Sequence, residues 1–152
     1  MSLVEAPTFA IRHADCRQSL TRLAIIDIHE ECFGDEIDCP SLKEGYWWVV
    51  WDDDTPVGFC CLRRAAATPG AGYLARSGVM PRARGYGLQK RLIAVREEKA
   101  RALGLIRMVS DTTENVHSSN NLMACGYRLF DPMTRWAFEH SLYWQKRLVA
   151  DH

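Results

Sequence analysis

Residues 79–93 read VMPRARGYGLQKRLI, and two glycines, Gly85 and Gly87, lie there among arginines directly before a helical run. Glycine inside a helix costs about 1 kcal/mol relative to alanine, so both positions suit a loop at the start of the helix. The N-terminus of a helix exposes unpaired N–H groups and the positive end of the dipole, and glycine lets an anion approach them. The stretch therefore predicts a phosphate-binding loop, to which Arg82 and Arg84 add positive charge.

The segments on either side of this loop predict a βαβ unit. The run YLARSGVM before it is typical of a strand, and the apolar residues from Tyr86 to Leu103 fall near one helical face. Gly104 can end that helix, and LIRMVSD then predicts a second strand. Strand, basic glycine loop, helix and strand in this order indicate an α/β fold.

The rest of the chain extends this unit to a mixed sheet of about seven strands, covered by three or four helices. Asp15 is predicted to cap the first helix and Gly34 to end it. With 152 residues we expect one domain, residues 1–152. The remaining elements are predicted as strands at 7–14, 46–52, 53–66, 127–130 and 135–148 and as helices at 15–34 and about 115–125.

The composition is that of an ordinary soluble protein, with 47% hydrophobic and 25% charged residues. No apolar run approaches the roughly 20 residues that cross a bilayer, so we expect no membrane association. The N-terminal MSLVEAPTFAIRHAD has neither a basic region nor an apolar region of the kind that signal peptides carry. A cytoplasmic location is therefore expected.

The six cysteines are an even number, but their pattern does not favour disulfides or metal. No C-x-x-C pair is present, and Cys60 and Cys61 are adjacent in an apolar run. Small disulfide-rich or zinc-dependent folds depend on regular cysteine spacing. We expect buried free thiols and no metal site.

The charges cancel over the whole chain but are unevenly distributed. Residues 27–54 hold ten acidic residues and one lysine, whereas residues 76–107 hold nine bases and two acids. The basic half could contact an anion, nucleic acid included. The zero net charge and the acidic first half argue against nucleic acid. Two solvated faces remain an alternative interpretation of the whole asymmetry.

Arg82-Ala83-Arg84-Gly85-Tyr86-Gly87 fits R-x-x-G-x-G and resembles the pyrophosphate loop of the GNAT superfamily of acyl-CoA-dependent N-acetyltransferases. The loop lacks the Lys-Ser/Thr of a P-loop and the G-x-G-x-x-G spacing of dinucleotide-binding folds. Downstream, Asn115 to Ser118 and then Gly126-Tyr127 resemble the family's N-x-x-[A/S] helix that ends in G-[F/Y]. The resemblance is carried by motifs over residues 73–130.

Over residues 9–65 the resemblance concerns only the order of elements. It implies a GNAT-like mixed sheet, mostly antiparallel, with helices on both faces and strands that splay at the cofactor site. It also implies acetyl-CoA as the cosubstrate and no metal. The implied cofactor-binding residues are Gly78, Val79, Arg82, Arg84, Gly85, Tyr86, Gly87, Leu88, Asn115 and Ser118. Loop N–H groups would hold the pyrophosphate, Gly78 and Val79 would pair with the pantetheine amides, and Asn115 and Ser118 would contact the same arm.

One position departs from the family pattern. Many members supply the general acid as a tyrosine seven residues after the motif asparagine, and that position is Leu122 here. The thiolate could leave without assistance, since a thiol pKa near ~8.5 makes it a fair leaving group. Ser118, Ser119 or His117 could donate the proton instead. In the third alternative, the protein binds acyl-CoA without catalysing transfer.

The general base is open to several candidates. On the predicted strand YLARSGVM, directly before the glycine loop, Arg76 and Ser77 lie where many relatives carry a carboxylate. Asp111 ends the next strand and faces the expected cleft, although it would also suit a turn or cap position. Glu31 and Asp35 come from the region that borders the acceptor site in relatives. Asp111 and Ser118 are the candidate catalytic residues.

The resemblance implies transfer of an acetyl group to a primary amine of a small molecule or a peptide. The acidic residues 27–54 favour a cationic acceptor such as a polyamine, an aminoglycoside, a lysine side chain or an N-terminal amine. Tyr143, Trp144, Trp47 and Trp48 could border the acceptor pocket, although aromatic residues at strand spacing are more often core. The resemblance also allows a homodimer, which many relatives form.

Overall fold

The computed structural model describes residues 7–148, in which seven strands form one open sheet and three helices pack on its two faces. The helices are α1 (Ser19–Phe33), α2 (Leu88–Ala102) and α3 (Val116–Ala124). The strands are β1 (Phe9–Ala14), β2 (Tyr46–Asp52), β3 (Thr55–Arg64), β4 (Ala71–Val79), β5 (Arg107–Thr112), β6 (Arg128–Leu129) and β7 (Leu142–Arg147). The predicted mixed α/β class is confirmed.

The seven strands lie in the order β1-β2-β3-β4-β5-β7-β6. Every neighbouring pair is antiparallel except β4 and β5, which are parallel because α2 carries the chain back to the starting edge. The predicted βαβ unit is therefore β4-α2-β5, and it forms the only parallel pair of the described sheet.

Both faces of the sheet are buried, each under different helices. Along β2 the side chains of Trp47 and Val49 belong to a cluster with α1, whereas those of Trp48 and Val50 belong to a cluster with α2 and α3. This alternation follows from the two-residue period of a strand. The strand reads as a continuous apolar run because both of its faces are covered.

A β-bulge interrupts the ladder between β3 and β4. Cys60 pairs with Ser77 and Leu62 with Leu74, so one residue of β3 lies opposite two residues of β4. The bulge breaks the alternation of side chains and turns Arg76 toward α1, where it contacts His29.

A buried arginine of α2 satisfies the carbonyls that this bulge leaves without ladder partners. Arg96 is 2% exposed, and its Nη1 donates to the carbonyl oxygens of Ala75 at 3.1 Å and Cys61 at 3.3 Å. Its Nε donates to Leu92 O at 2.9 Å. Because buried carbonyls need donors, Arg96 helps to hold the bulge in place.

The parallel strands β4 and β5 separate soon after they meet. They pair only from Ala71 to Tyr73 on β4, after which β4 continues along β3 and β5 continues along β7. Just beyond the last pair, Ser110 Oγ donates to Leu74 O at 3.4 Å. The expected splay is thus present, and it opens a gap in the sheet.

Two details near the ends of the chain differ from the sequence predictions. Asp15 does not cap α1, because the helix begins later and the Asp15 carboxylate accepts from the Arg17 N–H at 3.0 Å. The last strand begins at Leu142 rather than at residue 135. In the preceding segment the N–H of Phe138 donates to Ser141 Oγ at 3.0 Å, so a side chain replaces a strand partner.

All six cysteines are free thiols, as predicted, although only Cys60 and Cys61 are buried and the other four are half-buried. Burial raises the pKa of Cys60 to about 12 and that of Cys61 to about 11. Within residues 7–148 no group of three or more His, Cys, Asp or Glu side chains is arranged to hold a metal ion. In the same range no helix has the length and apolar character to cross a membrane.

Candidate functional site

The glycine loop joins β4 to α2 through a short 3-10 turn, Pro81–Ala83. Gly85 has φ +86° and Gly87, which precedes the helix, has φ +74°, a left-handed region that favours glycine. A Cβ on either residue would meet nothing within 4 Å, so the backbone borders open space. Within the described chain no acceptor bonds the N–H groups of these two glycines. The loop therefore offers free amide donors and room for an anion.

The two predicted arginines of the loop are exposed and engaged differently. Arg84 Nε donates to the carbonyl oxygen of Val79 at 2.9 Å and ties the loop to the end of β4. Arg82 Nη1 lies 4.0 Å from a carboxylate oxygen of Asp52, at the β2–β3 turn. Such an exposed ion pair contributes little stability, so Arg82 can exchange this partner for another anion at little cost.

Two adjoining cavities extend from this loop into the gap between β4 and β5. The loop cavity, about 390 Å³, is bordered by Arg84 and Leu88, and the inner cavity, about 360 Å³, is bordered by Tyr73 and Asp111. Because the two cavities share walls, they form one cleft. The shared lining residues are Phe33, Ser77, Gln89, Asn115, Ser118 and Asn121.

Gly78 and Val79 form the β4 wall of the loop cavity. A Cβ on Gly78 would lie 3.0 Å from a ring carbon of Phe59 and 3.2 Å from Cys32 Sγ, so close packing of α1 against the sheet requires glycine here. The backbone of β4 at this point is no longer paired with β5. Its outer edge is therefore available to an extended ligand.

The opposite wall is the first turn of α3. Asn115 precedes the helix, and its Oδ1 accepts from the backbone N–H of Ser118 at 3.0 Å. The Asn115 side chain therefore acts as an N-cap, which leaves its amide NH₂ group as the donor for a ligand. The hydroxyl of Ser118 bonds to no described residue, and Ser118 lines both cavities.

Asp111 lies at the far end of the cleft in a network of aromatic donors. Its Oδ1 accepts from the Tyr73 hydroxyl at 2.5 Å and from Trp136 Nε1 at 2.9 Å. Burial, followed by the charge of Asp111, raises the pKa of Tyr73, which keeps the phenol protonated. No described residue donates to Oδ2, so that oxygen is left to act on a ligand.

The position of the family tyrosine is filled by a buried leucine. Leu122 is 5% exposed, belongs to the core under α2 and α3, and lines the inner cavity. Of the other donors considered, Ser119 Oγ is bonded to Thr112 Oγ1 at 3.0 Å, and His117 is exposed on the rim of the loop cavity. Ser118 is thus the remaining hydroxyl with a free proton inside the cleft.

Several predicted site residues lie away from the cleft. Glu31 and Asp35 line neither cavity. Trp47 and Trp48 are buried core residues on opposite faces of the sheet. Two further aromatic candidates have structural partners on or near β7: the Tyr143 hydroxyl accepts from Ala137 N, and Trp144 Nε1 donates to Thr112 Oγ1.

The pair formed by His29 and Arg76 was not expected from the sequence. Arg76 Nη1 lies 2.8 Å from His29 Nε2, and Arg76 lines the inner cavity. Burial of His29, followed by the charge of Arg76, lowers the pKa of the imidazole, so its neutral form accepts the hydrogen bond. Trp136 was not expected either. No motif surrounds His29 or Trp136, and only the unusual arginine at position 76 was a signal in the sequence.

Comparison with known proteins places this geometry in a family. The family model described as acetyltransferase (GNAT) matches residues 13–127, more than half of the chain. None of the curated proteins compared with it matches the chain in sequence.

Solved structures share the fold at low sequence identity. An acetyltransferase from Bacillus subtilis in complex with CoA has a TM-score of 0.72 at 17% identity, covering 93% of this chain and 100% of that one. The ribosomal-protein-S18-alanine N-acetyltransferase of Escherichia coli has a TM-score of 0.73 at 8% identity, covering 95% and 97%. The Salmonella typhimurium protein yncA, solved with its cofactor acetyl-CoA, has a TM-score of 0.69 at 16% identity, covering 94% and 95%. The matched residues include the glycine loop, both walls of the cleft and the separating strands β4 and β5. This chain therefore belongs to the acetyltransferase (GNAT) family of acyltransferases.

Proposed function

We propose that this protein transfers an acetyl group from acetyl-CoA to an amine, with the cleft between β4 and β5 as the active site. The observation that carries the proposal is the continuity of the two cavities. They connect Arg84 and Leu88, which flank the free amides of Gly85 and Gly87, with the carboxylate of Asp111. A long cosubstrate with phosphates at one end and a thioester at the other fits such a cleft.

The loop is suited to the pyrophosphate of the cosubstrate. The free amides at Gly85 and Gly87, with the start of α2 behind them, present donors and a positive dipole to an anion. Tyr86 is exposed between the two glycines, whereas the N–H of Arg84 donates to Pro81 O at 3.2 Å and is not among the free donors. Arg82 adds a positive charge, which is paired with the carboxylate of Asp52 in this structure.

The walls of the cleft are suited to the pantetheine arm. On one side, the backbone of Gly78 and Val79 offers amide groups along the unpaired edge of β4. On the other, Asn115 and Ser118 offer side-chain donors from the first turn of α3. Together these groups would orient the thioester toward the inner cavity.

The proposed reaction is direct attack of the neutral amine on the thioester carbonyl. A C–N bond forms, the C–S bond breaks, and the amine proton leaves while the departing thiolate gains one. Asp111 is the candidate acceptor of the amine proton through Oδ2, since Oδ1 is held by Tyr73 and Trp136. Ser118 is the candidate donor to the thiolate because its hydroxyl is free.

A second candidate function is an acyl-CoA-binding module that does not transfer the group. The observation that favours it is the buried leucine, Leu122, at the position of the family acid. Such a module would bind acetyl-CoA with the same loop and walls but release no free thiol when amines are added.

The release of CoA thiol separates the two functions. Purified protein is incubated with acetyl-CoA and a panel of amines, and both free thiol and the acetylated product are quantified. Amine-dependent thiol release with a matching amount of amide supports the enzyme, and the loss of both in Ser118→Ala and Asp111→Asn locates the site. Binding of acetyl-CoA without amine-dependent release across the panel supports the module instead.

A further inference from the structure

The inner cavity has an excess of positive charge at the end remote from the glycine loop. Three arginines, Arg63, Arg76 and Arg96, line it, and its single carboxylate is Asp111. None of the three lines the loop cavity, whose arginine is Arg84. Cations that converge on a cleft raise the local concentration of anions. This second positive group is separate from the one that faces the phosphates.

Arg76 is held rigidly and keeps donors free. Its Nη1 is bonded to His29 Nε2 at 2.8 Å and to Asp38 O at 3.1 Å. Its guanidinium carbon lies 5.2 Å from the centre of the Phe33 ring. Nε and Nη2 donate to no described residue. A fixed planar guanidinium with free donors is well suited to bind a carboxylate through two parallel hydrogen bonds.

Arg63 has a donor that is buried and unsatisfied. Its Nε is shielded from solvent and has no hydrogen-bond partner among the described residues. Its Nη2 donates to Ser41 O at 3.3 Å, and its Nη1 lies 3.6 Å from the exposed carboxylate of Glu44. Because Nε is shielded, an anion in the cavity would contact this guanidinium through Nη1, whose ion pair with the exposed Glu44 contributes little and can be exchanged for another carboxylate.

Arg96 contributes charge rather than a direct contact. It is 2% exposed and directs Nε and Nη1 at backbone carbonyls, and no described carboxylate forms an ion pair with it. A buried cation without a counter-ion is costly. An anion bound in the same cavity would offset part of that cost.

We propose that the acceptor amine carries a carboxylate, as an amino acid does, and that Arg63 and Arg76 bind this carboxylate while the amine faces Asp111. The inference rests on the proposed acetyl transfer. It departs from the cationic acceptor that the acidic residues 27–54 favoured, because none of those acidic residues lines the inner cavity. The same arginines would also suit a carboxylate on the acyl group, and the experiment distinguishes the two sources.

The first experiment measures kcat/KM for amino acids, each beside its carboxamide and its decarboxylated amine, with acetyl-CoA. For the preferred amino acid we expect kcat/KM to exceed that of both analogues by about tenfold or more, the value of a charge-assisted contact. Equal or better use of the analogues would overturn the inference. It would also be overturned if succinyl-CoA with a decarboxylated amine were the best pair, since the carboxylate would then belong to the acyl group.

The second experiment compares Arg63→Gln and Arg76→Gln with Arg64→Gln, an exposed neighbour on the same strand. We expect the first two to raise KM for the amino acid about tenfold and to abolish its advantage over the carboxamide, with KM for acetyl-CoA unchanged. Arg76→Lys keeps the charge without the planar guanidinium, so its KM for the amino acid should lie between those of the wild type and Arg76→Gln. Loss of preference in Arg64→Gln as well, or in none of the variants, would contradict the assignment.

The outcomes also separate this inference from the proposed function on which it rests. If acetyl-CoA binds and amines are acetylated without regard to a carboxylate, only the inference fails. If acetyl-CoA does not bind, or binds without transfer, the proposed function itself fails. Melting temperatures of all the variants exclude misfolding as the cause of a change.

Discussion

The phenol of Tyr73 donates to Asp111 Oδ1 at 2.5 Å, across the point where β4 and β5 separate. Trp136 donates to the same oxygen from the segment before β7. Because burial raises the pKa of Tyr73, its proton and this hydrogen bond persist through neutral pH. The network thus fixes the position of Asp111 and leaves Oδ2 for a substrate.

Asp111→Asn should abolish most of the activity without preventing acetyl-CoA binding. An amide at this position cannot accept the amine proton, and the loss of a general base typically costs about 100-fold or more. We expect kcat to fall by at least that factor and the low-pH limb of the pH–rate profile to disappear. A variant that keeps this limb would exclude Asp111 as the base.

Tyr73→Phe provides the matched control. It removes one donor to Asp111 while the carboxylate and the bond from Trp136 remain. We expect a smaller loss of kcat, about tenfold, with the low-pH limb retained. An equal loss in both variants, with the limb absent in both, would indicate that the phenol rather than the carboxylate handles the proton.

Leu122→Tyr tests whether protonation of the thiolate limits turnover. The side chain of Leu122 is buried against the inner cavity, into which a tyrosine hydroxyl could extend. Leu122→Phe adds the same ring without the hydroxyl, and either ring costs about 1–3 kcal/mol of stability through overpacking. We expect a higher kcat for the tyrosine variant than for the phenylalanine variant. Equal values would mean that the thiolate leaves without this assistance.

Arg96→Met should destabilise the fold rather than change the chemistry. The substitution leaves the carbonyls of Leu92, Cys61 and Ala75 without their donor. It also removes a buried charge, which offsets part of this loss, and we expect the free energy of unfolding to fall by about 2 kcal/mol. Urea unfolding measures the change. Lys90→Met, on the exposed face of the same helix, should change stability by less than about 0.5 kcal/mol. Equal effects would argue against the role of Arg96 at the bulge.

His29 makes stability depend on pH in the acidic range. The ordinary pKa of a histidine is 6.5, and folding lowers the pKa of His29 below that value. Below about pH 6.5 the unfolded chain therefore binds the proton more readily than the folded one. The contribution of His29 is therefore present above pH 6.5 and is lost as the pH falls toward the folded pKa. We expect the stability advantage of the wild type over His29→Gln to shrink between pH 7 and pH 5. A difference that stays constant over this range would disprove the shift.

The parts of the molecule that could be predicted from the sequence are those set by local patterns. The R-x-x-G-x-G loop carries its own conformational signature, since Gly85 and Gly87 both adopt positive φ. The strand and helix periods then place β4, α2 and β5 around it. The splay followed from the family resemblance, and the structure confirms it in the short pairing of β4 with β5.

The inner cavity could not be predicted because its contacts join residues distant in sequence. Arg76 and His29 are 47 positions apart, and Tyr73 and Asp111 are 38 apart. The direction of Arg76 depends on the β-bulge, which breaks the regular alternation on which strand predictions rely. None of the acidic residues of segment 27–54 lines the inner cavity, because charge along the sequence does not show which side chains face the cleft.

The most direct test is calorimetric binding of acetyl-CoA to the wild type, Gly87→Glu and Gly104→Glu. Both glycines have left-handed φ, at +74° and +79°, with open space around them, and they lie at opposite ends of α2. Each substitution therefore costs a similar backbone strain, about 1–2 kcal/mol, but only the glutamate at position 87 places a negative charge beside the proposed phosphate site.

We predict that the wild type and Gly104→Glu bind acetyl-CoA and desulfo-CoA but not ATP, and that Gly87→Glu loses at least about 100-fold in affinity. Failure of the wild type to bind acetyl-CoA at millimolar concentration, or wild-type affinity in Gly87→Glu, would contradict the assignment of this cleft to an acyl-CoA.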